Sequence, residues 1–125
     1  MANLSYRIDS DTKIVHLVFD AKVLYEEWVA TMLEIFAQPD YRPGFGFLID
    51  RRHSIPPSTE DVHRMANFID KHREQCNRGR FAFLTANIAD YGMVRMAQGL
   101  SSDHPTELKI FQDIELALGW LKESR

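Results

Sequence analysis

At 125 residues, 45% of them hydrophobic and 26% charged, the chain has the composition of one ordinary globular domain with a single core. A net charge of -3 lacks the basic excess that nucleic-acid phosphates require, which excludes that class of partner. The lone cysteine, Cys76, rules out an internal disulfide and a Cys-rich zinc site, and suits a reducing compartment.

Leu4, Tyr6 and Ile8 alternate with Ser5, Arg7 and Asp9, the pattern of a half-exposed edge strand. After a polar turn at Ser10, Asp11 and Thr12, Lys13 to Phe19 reads as a second strand, close enough to form an antiparallel hairpin with the first. The period then changes. From about Val23 to Gln38, Leu24, Trp28, Met32 and Phe36 recur every fourth residue, with Val29, Leu33 and Ile35 widening the stripe of an amphipathic helix that stops before Pro39.

Two stretches further on nearly repeat each other: FGFLID from Phe45 to Asp50 and FAFLTA from Phe81 to Ala86. Both are apolar on successive residues, as central strands covered on two faces are. The segment RRHSIPPS between them is expected to be a loop, because Pro56 and Pro57 lack amide donors and restrict their neighbours. Ser58 with Asp61 then looks like a capping box for a long second helix carrying Val62, Met65, Ile69 and Cys76, broken by Gly79.

Asn87 with Asp90 opens a shorter third helix bearing Tyr91, Val94, Ala97 and Leu100. Thr106 to Phe111 is a last strand, and Asp113 caps a final helix bearing Ile114, Ala117, Leu118 and Leu121. The order ββαβαβαβα implies an α/β fold with a five-stranded mixed sheet, the first two strands antiparallel and the second to fifth parallel. No linker divides it, so residues 1–125 read as a single domain.

Catalytic chemistry finds little footing. Asp20, Asp50 and Thr85 fall at strand ends like the carboxylates and hydroxyl of a phosphate-accepting receiver site, but the first strand end has no adjacent acidic pair and Lys109 lies inside its strand. Such aspartates ordinarily cap helices or bind loop amides. The histidines at 16, 53, 63, 72 and 104 show no metal-ligand spacing, and no nucleophile elbow or phosphate loop occurs. The chain is therefore expected to be non-enzymatic, with no cofactor and no metal.

The element order, with FGFLID, a polar loop, a capped helix, FAFLTANIADYGMVRM and the closing IFQDIELALGWL, resembles the small bacterial proteins of uncharacterised function in the SpoIIAA-like, STAS-related superfamily. The resemblance covers almost the whole chain and implies one SpoIIAA-like domain. Anti-sigma-factor antagonists of that superfamily carry a phosphorylated Ser in an Asp-Ser-x-Gly motif at the start of the helix after the third strand. Here that region reads DRRHSIPPSTED, so Ser54 and Ser58 lie in the corresponding place without the motif. Another branch is likened to CRAL-TRIO lipid carriers, which implies an apolar ligand or a membrane surface.

Two candidate sites follow. An apolar, acyl-chain-like ligand would lie between the sheet and a movable helix, against Phe45, Phe47, Phe81 and Phe83 with Tyr91, Met93 and Met96, and peripheral membrane contact is part of that expectation. The other is an anion or protein-partner loop at Arg51, Arg52, His53, Ser54 and Ser58, where guanidinium groups meet a helix start. A homodimer that uses the apolar surface as its interface is the third reading. No apolar run nears the ~20 residues that cross a bilayer, and the opening MANLSYRIDSDTK has no signal-peptide pattern, so a cytoplasmic location, peripheral to the membrane at most, is expected.

Overall fold

The computed structural model describes residues 3–77, 79–86, 92, 95 and 107–123. Strands β1 (Leu4–Asp9), β2 (Ile14–Ala21), β3 (Gly46–Ser54), β4 (Arg80–Leu84) and β5 (Glu107–Phe111) form one sheet in the order β1-β2-β3-β4-β5. β1 and β2 are antiparallel, and β2 through β5 run parallel. This is the sheet that the alternation and the paired Phe-rich runs imply. The helices among the described residues are α1 (Tyr25–Ala37), α2 (Thr59–Lys71), a one-turn α3 (Arg73–Cys76) and α4 (Ile114–Lys122). The helix expected to open at Asn87 and Asp90 falls outside the described residues, apart from Gly92 and Arg95, which are helical.

Period-two alternation sorts the strand residues onto two faces. One face presents Val15, Leu17, Phe19, Phe45, Phe47, Ile49 and Phe81 to Trp28, Met32 and Ile35 of α1 and Phe68 of α2, in the larger of two buried clusters. The other presents Ile14, Leu48 and Ala82 to Ala117 and Leu121 of α4. Gly46 belongs to this second face, and a Cβ built on it would stand 3.0 Å from Leu121 Cδ2, so the small residue lets the helix close on the sheet.

The caps expected at Ser58 and Asp113 form, while the one expected at Asn87 lies outside the described residues. Ser58 Oγ accepts from the Asp61 amide at 3.1 Å, and Asp113 Oδ1 accepts from the amides of Glu115 at 2.8 Å and Leu116 at 3.4 Å. The long second helix expected to reach Cys76 is instead divided at His72 into α2 and α3, and α3 ends at Asn77, whose left-handed φ of 44° turns its amide back to the Arg73 carbonyl at 2.8 Å. Gly79 follows at a point of close backbone approach. A Cβ there would lie 2.5 Å from the Phe45 carbonyl oxygen, so no other residue fits without the chain shifting.

Further expectations need correction. RRHSIPPS is not all loop, because β3 continues through Arg51, Arg52, His53 and Ser54 and pairs His53 with Asp20 and Ser54 with Ala21 beyond a register shift at Val18/Asp20. Only the segment from Ile55 to Ser58 is irregular, and there the prolines act. Leu24 and Leu33, both assigned to the buried stripe of the first helix, are exposed: Leu24 precedes α1 as its N-cap and Leu33 lies on the outer side. α1 buries Trp28, Met32 and Ile35 instead, a stripe rotated away from both leucines.

Candidate functional site

At the carboxyl ends of the parallel strands the chain turns from sheet to helix, and ligands of open α/β sheets collect there. The end of β3 is held by its own side chains. Asp50 receives Arg52 in a fork, Nε to Oδ1 at 3.1 Å and Nη2 to Oδ2 at 2.9 Å, while the Arg52 amide also donates to Oδ1 at 3.1 Å. Burial alone would raise the Asp50 pKa. The Arg52 hydrogen bonds and charge, with His53 adding to them, outweigh it and hold the carboxyl below its ordinary value.

Arg51 points to the opposite face and is only 6% exposed. Its guanidinium lies 4.5 Å from the centre of the Phe19 ring, and Nη2 donates to the Ile55 carbonyl at 3.2 Å. Its sequence neighbours complete the rim: Ser54 Oγ donates to the Arg51 carbonyl at 3.0 Å, His53 is exposed, and Ser58 serves as the α2 cap. The structure therefore brings Arg51, Arg52, His53, Ser54 and Ser58 to one rim, with both guanidinium groups engaged by the protein itself. A free anion would have to displace those contacts.

The four phenylalanines of the apolar candidate divide. Phe45, Phe47 and Phe81 are buried, with Phe47 and Phe81 ring centres 4.6 Å apart and Tyr41 packed edge-on 5.6 Å from Phe45 and 6.0 Å from Phe47. Tyr41 is fixed in turn by a 2.7 Å bond from its hydroxyl to the Gln75 carbonyl, and burial pushes its phenol pKa well up. Phe83 differs. It is half-buried, in register between buried Ile49 and half-buried Ile110, one step nearer the strand exits. Tyr91, Met93 and Met96 lie outside the described residues.

Two residues that the sequence reading did not assign to a site stand out on the same rim. Leu24, at the start of α1, is 55% exposed, and Ile55, just after β3, is 56% exposed. A 2.8 Å bond from the Ile55 amide to the Ala21 carbonyl ties the two exits together, with Ala21 in the left-handed region at φ 51°. The available signal was Ile55 itself, a large apolar side chain in an otherwise polar, Pro-rich segment. Leu24 gave no such signal, since its spacing matched the helix stripe.

Groups suited to chemistry are scarce among the described residues. No cluster of three His, Cys, Asp or Glu side chains could hold a metal ion. Cys76 is buried, and burial pushes its thiol up to about 12, far from a reactive thiolate. No helix among the described residues is long and apolar enough to cross a membrane.

The comparison with solved structures agrees with the architecture. An uncharacterised protein of the DUF3478 family from Shewanella loihica PV-4, described as having a SpoIIAA-like fold, superposes with a TM-score of 0.65 at 21% identity, over 94% of this chain and 91% of that one. The chain thus has a SpoIIAA-like fold. No protein-family model matches it, and no curated protein does.

Proposed function

We propose that this SpoIIAA-like domain is a non-enzymatic binding module that docks a protein partner on the rim formed by the exits of β2 and β3. The observation that carries this reading is the exposure of Leu24 and Ile55 on two loops fixed to each other through the Ala21 carbonyl. Large apolar side chains held on a rigid frame lose little conformational freedom on docking, and that favours association. The polar groups around them are self-satisfied, as at the edge of a partner surface: Arg52 is paired with Asp50, and Ser58 caps α2.

The test is a photo-crosslinking residue at position 55, with one at exposed Ala37 on α1 as control. A discrete protein adduct at 55 and not at 37, lost when Leu24 is changed to Ser, is the expected result. Equal labelling at both positions would overturn the reading.

A second reading, an apolar acyl-chain ligand with peripheral membrane contact, is favoured by Phe83, the one phenylalanine of the four that remains half-buried, with half-buried Leu108 and Ile110 beside it. Native mass spectrometry of gently purified protein separates the two. A copurifying lipid mass lost on Phe83→Ala supports the ligand, and an unliganded mass together with a position-55 adduct supports the partner.

A further inference from the structure

We propose that α4 mediates self-association, two copies of this chain packing their α4 helices antiparallel about a two-fold axis. Only Glu115 and Lys122 are charged in the nine-residue helix IELALGWLK, and a helix so poor in charge is ordinarily covered on all sides. α4 is covered on one. Ala117 and Leu121 are buried against the sheet, whereas Leu116 is 65% exposed. At ~100° per residue, the position opposite the buried pair is Gly119, and a Cβ built there meets nothing within 4 Å. A glycine in the middle of an outward face lets another backbone come close.

The charges select the occupant and its direction. Glu115 and Lys122 are two helical turns apart, so they share one flank of the helix beside Gly119, separated by roughly 10 Å along the axis, with Lys122 also within electrostatic reach of His16 in β2. Neither has an ion-pair partner among the described residues. In a parallel pair of helices each would face its own kind. In an antiparallel pair centred between Leu118 and Gly119, Glu115 of each copy meets Lys122 of the other, and each Leu116 covers apolar surface of the opposing helix. A helix of about 14 Å gives a small interface, so the association is weak and concentration-dependent.

Sedimentation equilibrium of the full chain, from low micromolar to near-millimolar, should show the average mass rising from monomer toward dimer. Lys122→Glu should weaken association roughly tenfold, since two attractions become two repulsions, and the swap Glu115→Lys with Lys122→Glu should restore it. Gly119→Cys should give a disulfide-linked dimer with added oxidised glutathione much faster than Ala37→Cys does, while buried Cys76 stays silent. A monomer throughout the range overturns the proposal, as does a dimer that Lys122→Glu leaves unchanged.

Discussion

On the face of the sheet covered by α1 and α2, β3 and β4 present Phe47, Ile49 and Phe81; on the face covered by α4, the same two strands present Gly46, Leu48 and Ala82. Large rings fill a wide gap on the first, so its stability rests on occupied volume. On the second, small residues bring a helix close, and Ala82 meets Ala117 with neither exposed at all. The two faces should accordingly fail in opposite ways: the first when atoms are removed, the second when atoms are added.

Phe47→Ala is the largest break. It empties the centre of the ring cluster and should cost about 3–5 kcal/mol, read as a lowered urea midpoint with an unchanged slope. Gly46→Val tests the other side by crowding Leu121, and a loss of about 1–3 kcal/mol is expected although no buried atom is deleted. If truncation to Ala at Leu48 proved as costly as at Phe47 and Gly46→Val proved neutral, the contrast between filling and closeness would fail.

The helix starts sharpen the comparison. Asp113→Ala removes an acceptor shared by two amides of α4, and Ser58→Ala one that serves a single amide of α2, so each should lose about 1 kcal/mol with Asp113 the more sensitive in thermal unfolding.

The smallest effect is one of pH, and it belongs to the α4 face. Burial lowers the His16 pKa, Arg7 and Lys122 add to the shift, and Asp9 opposes it. The unfolded chain then binds a proton that the folded chain disfavours, so stability should decline as pH falls from the ordinary value of 6.5 toward the depressed one. His16→Gln should flatten the thermal midpoint over that window. The depressed carboxyls of Asp9 and Asp50 act in the same direction but only at lower pH, below their ordinary 3.8, so the two contributions are separable by titration.

Much of this architecture could be read in advance because the informative signals were local. Phe-rich runs declare two-sided burial, and Ser58, Asp113 and Gly79 act on amides or carbonyls nearby in space or in sequence. What stayed hidden depended on contacts distant in the chain. β3 runs on through Arg51 because that guanidinium finds the Phe19 ring, and no composition rule places an arginine in a core. Leu24 and Leu33 matched the helical period, yet α1 is rotated by having to pack against both the sheet and Phe68 of α2. Of the candidate site, the sequence located the rim and its serines. It did not show that both arginines are already engaged, nor that Ile55 is the residue left open.

Strand order in the sheet is the order in the chain, β1 through β5 without interleaving. No strand has to be inserted between two that are already paired. As the polypeptide leaves the ribosome, each new strand can therefore join the edge laid down just before it, and only the most recent edge stands open to wrong partners at any moment.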